Sequence, residues 1–254
     1  MYELTELRRQ EVSEIAPSVI AVLPIGSHEQ HGGHLPLGTD TMLVEAIAQR
    51  ALHDRTDVVL CPTLPYGFSE HHQFSSALSL QPDTLLTVLS QLIDSLVKAR
   101  FRRILLLNGH GGNVEMMSQS VKLAALHYPI IAASCSYWDL VAPSPETPGH
   151  AGRFETDLMS AVYPDAVEPR GAGPAEQPLF DRTIIPGLHI ERHGEWVRSG
   201  GVTDSPGNGD ETKGKTILTT AAEGLESCIE ALLNTPLPPV PATGAEDTSN
   251  EHRS

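Results

Sequence analysis

The residues best able to do chemistry are Glu29-Gln30-His31-Gly32-Gly33-His34, then Asp40, and later His110 within Asn108-Gly109-His110-Gly111-Gly112-Asn113. Carboxylates and imidazoles are the oxygen and nitrogen donors that a divalent cation accepts, and these segments supply enough of them if the fold brings them together. Glu29 and His31 are two apart, so in extended chain they point the same way, and an Asp at a helix start can offer one carboxylate oxygen to each of two cations. A pair of cations held a few ångströms apart would pin a hydroxide between them, the nucleophile of metal-assisted hydrolysis. Two plainer readings stand beside this one. Asp40 can serve as a charge at a helix start, and the glycine-rich turn around His110 can cradle a phosphate, although it carries no Lys, Ser or Thr of the P-loop kind.

Bringing these groups together falls to the elements between them. Short apolar runs alternate with helical patterns, the signature of parallel strands joined by crossover helices. Strands are expected over 18–25, 57–64, 103–108 and 129–136, the first continuously apolar as suits a strand covered on both faces. Thr39 is expected to cap a helix with Leu43, Ile47 and Ala51 on one stripe and Asp40 in its first turn. Further helices are expected over 82–101, where Leu85, Leu89, Leu92 and Leu96 repeat at helical spacing, and over 113–128, 153–162 and about 210–233. The stretch 164–201, rich in Pro, Gly and charge, reads as a long excursion with one or two short strands. Its His189, Glu191, Arg192, His193 and Trp196 suit either substrate selection or a subunit contact. In open α/β sheets ligands collect at the carboxyl ends of the strands. On this outline Glu29 and His31 follow the first strand, His71 and His72 the second, His110 the third, and His150 and Glu155 the fourth, so all fall on one edge.

Composition narrows the partners. With 254 residues, 40% of them hydrophobic, the chain can enclose a substantial core, and we expect one domain over 1–235 followed by a Pro-rich, flexible tail over 236–254. No segment reaches the apolar length of a membrane span, and the first residues alternate charge with apolar groups instead of forming a signal-peptide core, so the expected location is the cytoplasm. Cys61, Cys135 and Cys228 are widely spaced and sit in apolar stretches, so they read as reduced thiols and leave any metal to nitrogen and oxygen ligands. A net charge of −15 with scattered basic residues argues against nucleic acid.

Three segments together are more specific than any one. Pro24-Ile25-Gly26-Ser27-His28-Glu29-Gln30-His31-Gly32-Gly33-His34-Leu35-Pro36, Asn108-Gly109-His110-Gly111-Gly112-Asn113 and Gly149-His150-Ala151-Gly152-Arg153-Phe154-Glu155-Thr156 resemble, in order, the creatininase (creatinine amidohydrolase) family. The resemblance implies a three-layer α/β/α fold with a mostly parallel central sheet. It also implies two divalent metal ions per subunit, of zinc, manganese or iron, and cleavage of carbon–nitrogen bonds in amides other than ordinary peptide links. A small-molecule amide is the implied partner, and a homo-oligomer, often a hexamer, the implied assembly. By position, the resemblance carries one metal onto Glu29, Asp40 and His110, the other onto His31 and Asp40, and a proton-transfer role onto His150.

Two departures from that family bear on the substrate. Members that open creatinine carry a Glu two residues after the metal-binding His, where this chain has Gly112, and a Trp and an acidic residue shortly before the second His, where it has Pro148 and Gly149. The glycine form of the loop is similar to branches that deformylate a formamidopyrimidine or trim the mycofactocin precursor peptide. With Gly112 unable to ligate, Glu155 is the candidate for the missing carboxylate, as ligand and as part of the catalytic machinery. Ser69, Glu70, His71 and His72, with Gly111, Gly112 and Trp138, are expected to line the pocket. A metal- or ligand-binding member without catalysis and a creatinine amidohydrolase proper remain the alternatives.

Overall fold

The computed structural model describes residues 1–141, 148–168 and 191–240. Five strands, β1 (Tyr2–Glu3), β2 (Ile20–Ile25), β3 (Val58–Leu60), β4 (Arg103–Asn108) and β5 (Ile131–Ser136), form one sheet in the order β1-β3-β2-β4-β5, and every pairing is parallel. Every residue of β2 is buried, as its unbroken apolar run requires of a strand covered on both sides.

Alternation along the strands divides the core into two layers. Ile20 and Val22 of β2, with Leu105 and Leu107 of β4, face α2 (Thr39–Leu52), α5 (Arg153–Val162) and α7 (Glu211–Asn234). Ala21, Leu23 and Ile25, with Ile104 and Leu106, face α1 (Arg9–Ile15), α3 (Pro82–Lys98) and α4 (Val114–His127). The expected three-layer α/β/α architecture is therefore present. Leu85, Leu89, Ile93 and Leu96 form the buried stripe of α3, each contributing about 1.5–3 kcal/mol by leaving water.

Register then sets the level of the site. Ile25 of β2 pairs with Asn108 of β4, and Asn108 with Ser136 of β5, so three strands end at one height and release their chains on one edge. The Gly109 amide donates to the Ile25 carbonyl at 2.8 Å, continuing the ladder to the start of the His110 turn. A Cβ at residue 109 would lie 2.6 Å from the Asp40 carbonyl oxygen and 2.9 Å from Val44 Cβ. Only a glycine lets the exit of β4 lie against the first turn of α2, where Asp40 sits.

Several local expectations need correction. Gly38, not Thr39, precedes α2; Thr39 lies inside the first turn, where its hydroxyl donates to the Pro36 carbonyl at 2.7 Å. The strand expected over 57–64 narrows to Val58–Leu60. The sequence reading did not resolve β1 or α1, since two residues carry no period and the seven-residue α1 buries none of its residues completely. Of the excursion over 164–201, residues 169–190, His189 included, lie outside the described residues. The described parts hold a 3-10 turn at Pro164–Ala166 and the short helix α6 (Glu195–Arg198), and no strand. Of the expected tail, 236–240 have no regular structure and 241–254 lie outside the described residues. The three cysteines are free, and burial pushes the Cys61 thiol up to about 12. No helix among the described residues is long and apolar enough to cross a membrane.

Candidate metal centre

The chain leaving β2 is pinned where it carries its ligands, by the Glu29 amide donating to the Leu37 carbonyl at 2.9 Å and the Gln30 amide to the Ser76 carbonyl at 2.7 Å. Glu29 and His31 are thereby fully buried, and Asp40 from α2 and His110 from the β4 exit meet them. His31 Nε2 lies 3.2 Å from Asp40 Oδ1, and His110 Nδ1 lies 3.1 Å from Asp40 Oδ2 and 3.3 Å from Glu29 Oε1. Asp40 therefore presents one oxygen to each of two ligand sets. Glu29, Asp40 and His110 form the first, and His31, Asp40 and Glu155 the second, with the ligand atoms of each set within 4.8 Å of one another.

The rings are oriented by backbone carbonyls. His31 Nδ1 lies 3.0 Å from the Glu29 carbonyl and His110 Nε2 lies 2.8 Å from that of Phe68. A carbonyl only accepts, so these nitrogens carry protons, and the opposite nitrogens, which face the carboxylates, are the ones that would give a lone pair to a metal once their own protons leave. The Phe68 contact explains Gly112, because a Cβ there would lie 2.1 Å from the Phe68 oxygen and 2.6 Å from His110 Nε2. Gly109 and Gly112 thus keep the His110 turn close to its neighbours, which accounts for its composition without a phosphate.

Buried polar atoms ordinarily find partners. Among the described residues, Glu29 Oε1, His31 Nε2, Asp40 Oδ2 and His72 Nε2 are buried here without a hydrogen bond. The first three, oxygen and nitrogen donors that belong to the two ligand sets, fit a divalent cation or a pair of them.

The electrostatics of the metal-free chain agree with that fit. Burial works against protonation of His31, but Asp40, followed by Glu155 and Glu29, lifts its pKa to about 10. Burial is likewise overcome at His110, which Glu29 and Asp40 lift to about 9. The Asp40 carboxyl, despite its burial, is held well below the usual carboxylate range by His31 and His110. Burial raises Glu155 to about 8 against the opposing charge of His31, and it also raises Glu29. Protons on imidazoles therefore supply positive charge among clustered carboxylates where cations would otherwise supply it.

His150 lies over the same centre, its Nδ1 3.3 Å from Glu29 Oε1 and its Nε2 2.7 Å from the Gln30 carbonyl. Burial, then the charge on His31, holds its pKa well below the ordinary histidine value, so the ring is neutral with a bare Nδ1. Glu155 lies in the first turn of α5, its Oε2 accepting from the Ala151 amide at 2.6 Å and lying 3.9 Å from His31 Nε2. Ala151 adopts φ 50° to make that contact.

A cavity of about 130 Å³ opens onto these groups, bounded in part by His71, His72, Gly111, Gly112, Trp138 and Trp196. Ser69 and Glu70 do not line it. Ser69 is buried behind His110, 3.3 Å from its Nε2, and Glu70 is exposed at the start of the 3-10 turn Glu70–His72, which carries His71 and His72 inward. Trp196 of α6 packs 4.9 Å from His71 and 4.7 Å from His72 between ring centroids, closing one side. Sequence reasoning left Trp196 open between substrate selection and a subunit contact, and gave Gln30 no role. Gln30 lies between two ligands, the one signal that could have drawn attention to it.

The family model described as creatinine amidohydrolase matches residues 5–229. A mycofactocin precursor peptide peptidase of Mycolicibacterium smegmatis is 36% identical over 165 residues, covering 62% of this chain and 63% of that protein. A creatinine amidohydrolase of Pseudomonas putida is 31% identical over 185 residues, covering 63% and 71%. A solved creatinine amidohydrolase superposes with a TM-score of 0.78 at 27% identity over 92% of this chain and 98% of the other. A creatininase described as of Zn-Zn type superposes at 0.77 with 26% identity over the same shares.

Proposed function

The chain belongs to the creatininase family of hydrolases, and we propose that it is a two-metal amidohydrolase that cleaves a carbon–nitrogen bond in a formamide, a cyclic amide or a small peptide-like amide. The observation that carries this reading is the pair of buried ligand sets sharing Asp40, with His31 and His110 each turned by a carbonyl so that its other ring nitrogen faces the carboxylates. Glu29, Asp40 and His110 would hold one cation, and His31, Asp40 and Glu155 the other. Zinc, manganese or iron, when bound, would supply Lewis acidity toward the amide oxygen and lower the pKa of water from 15.7 to about 7.

The rest of the work falls to the chain. Neutral His150 can take a proton on Nδ1 from the attacking water and return it to the departing nitrogen, as a general base and then a general acid. Trp138 and Trp196 offer flat apolar walls, with the His71 ring beside them, that restrict water and orient a planar amide. A volume of about 130 Å³ supports a small reacting group. Gly112, Pro148 and Gly149 at the positions where creatinine-opening members differ weigh against creatinine itself. The similarity to a mycofactocin precursor peptide peptidase supports a peptide-like amide as one of the first substrates to try.

The test is a screen of formamides, cyclic ureides and short peptides against protein stripped by a chelator and reloaded with zinc, manganese or iron. We expect turnover of at least one class that disappears on chelation and returns on reloading. A protein that takes up metal and turns over none of the three classes would contradict hydrolysis and leave the binding-only alternative.

A further inference from the structure

Gln30, 5% exposed, sits behind two of the histidines that the ligand sets leave over, His72 and His150. Its side-chain orientation is fixed by two backbone groups of unambiguous role. The Gly32 amide donates to Gln30 Oε1 at 3.0 Å, and Gln30 Nε2 donates to the Gly201 carbonyl at 3.0 Å. Turning the amide over would set donor against donor and acceptor against acceptor, so Nε2 is the atom that faces the histidines.

Tautomers follow from that orientation. Gln30 Nε2 lies 2.9 Å from His72 Nδ1, and its second proton can bond there only if Nδ1 is bare. The single proton of a neutral His72 is then on Nε2, which lies 3.4 Å from Glu29 Oε1. His150 has the opposite fate. Its Nε2 must donate to the Gln30 carbonyl at 2.7 Å, so the neighbouring Gln30 Nε2, 3.1 Å away, is a contact between two donors and not a bond. The Nδ1 of His150, 3.3 Å from the same Glu29 oxygen, is left bare. Besides the ligand His110, two imidazoles therefore approach Glu29 Oε1, His72 with a proton and His150 with a lone pair.

We propose that Gln30 is a positioning residue whose side chain holds the His72 proton on Nε2, facing Glu29, thereby keeping His72 out of the metal set, while its backbone carbonyl leaves His150 with the free Nδ1 that proton transfer needs. By distance alone Glu29, His71 and His72 form a further group able to hold a cation, as do Glu29, His31 and His150. The Gln30 amide removes His72 from the first of these, because a protonated nitrogen has no lone pair to give. The bond to Gly201 also ties the segment after α6, and with it the Trp196 wall, to this arrangement. The proposal rests on the two-metal reading only for what the tautomers are used for. The tautomers themselves follow from hydrogen bonds.

Histidine tautomers are read directly by long-range proton–nitrogen correlation on the full chain labelled with nitrogen-15 in histidine and loaded with zinc, each ring assigned by loss of its signals in single His variants. The wild-type chain is expected to show His72 and His150 both protonated at Nε2. Gln30→Met, which keeps length and loses the donors, should abolish the single His72 tautomer while His31 and His110 keep theirs. Gln30→Glu, which replaces the donor with an acceptor, should move the His72 proton to Nδ1. His72 remaining protonated only at Nε2 in both variants would overturn the proposal. So would a change at His31 and His110 as large as at His72, since Gln30 would then merely support the fold. Zinc content measured on the same samples separates the two readings: a wild-type chain without zinc refutes the metal centre, while its tautomers still decide the role of Gln30.

Discussion

Glu155→Gln is expected to empty the His31 side of the centre and leave the Glu29, Asp40 and His110 side loaded. The magnitude follows from protons. In the metal-free chain burial raises Glu155 to about 8, and Asp40 overcomes burial to lift His31 to about 10. Both must lose a proton before they can ligate, so at pH 7 a cation entering this set displaces about two protons. Protons compete with the cation, and affinity therefore falls as pH falls, by about 50-fold from pH 8 to 7 and by about 100-fold from pH 7 to 6. Between pH 7 and pH 6 that amounts to about 2.7 kcal/mol, at 1.36 kcal/mol per proton and unit. The variant has one proton fewer to displace, so its dependence should drop to about tenfold per unit. It also loses an anionic oxygen, which should weaken binding beyond the roughly 10–100-fold that follows loss of an outer supporting group. Equilibrium dialysis against buffered zinc at pH 6, 7 and 8, with metal analysis of the protein, reads both effects. Two zinc ions per chain in Glu155→Gln, bound with the wild-type pH dependence, would refute the reasoning and remove Glu155 from the ligand set.

Asp40→Asn removes the oxygen shared by both sets, so metal analysis should find neither cation retained, in contrast to the single loss in Glu155→Gln. In the metal-free chain it should also lower the His31 and His110 pKa values from about 10 and about 9, a shift that a histidine NMR titration would follow. Gly112→Ala places a Cβ 2.1 Å from the Phe68 oxygen; overpacking of this kind costs about 1–3 kcal/mol, and thermal melts should show a drop of roughly 2–4 °C for each of those. Ala151→Gly relieves a left-handed residue at φ 50° that costs roughly 1–2 kcal/mol, against about 0.5–1 kcal/mol of added chain entropy; the same melts should show a small gain.

How much of this was legible in the sequence depended on whether the signal was local. The strands could be read because a buried parallel strand must be apolar throughout, as 20–25 and 103–108 nearly are, and the strand ends then located Glu29, His31, His110, His150 and Glu155 without further information. The start of the chain could not be read, because β1 gains its place only by pairing with β3. Glu70 and His72 illustrate the limit on the site. Both stand in one polar stretch, and only the 3-10 turn, with three residues per revolution, exposes the first and buries the last. Gln30 and Trp196 act through contacts 42 to 171 residues away in one case and through the return path of α6 in the other. No property of an isolated amide or indole announces such contacts.

Gly112 and Glu155 can be understood as two halves of one arrangement. A pair of divalent cations calls for several carboxylates, and a chain with Glu29 and Asp40 alone leaves the His31 side short of anionic charge. Residue 112 cannot supply it here, because any side chain would strike the Phe68 carbonyl, the acceptor that orients His110. A carboxylate there would disturb one ligand in the act of adding another. Glu155 reaches the same region from the opposite segment, steadied by the Ala151 amide at 2.6 Å, and the left-handed backbone at Ala151 is the local strain this geometry tolerates. If that is the logic, the two positions are not interchangeable. Restoring a Glu at residue 112 in the Glu155→Gln background should fail to recover the second zinc and should weaken the first as His110 turns, whereas Glu155→Asp, which keeps the anion and shortens its reach, should retain part of the second. Recovery of two zinc ions per chain in the Gly112→Glu, Glu155→Gln double variant would show that the Phe68 carbonyl yields more readily than its contacts with Gly112 and His110 imply, and the coupling argued here would fall.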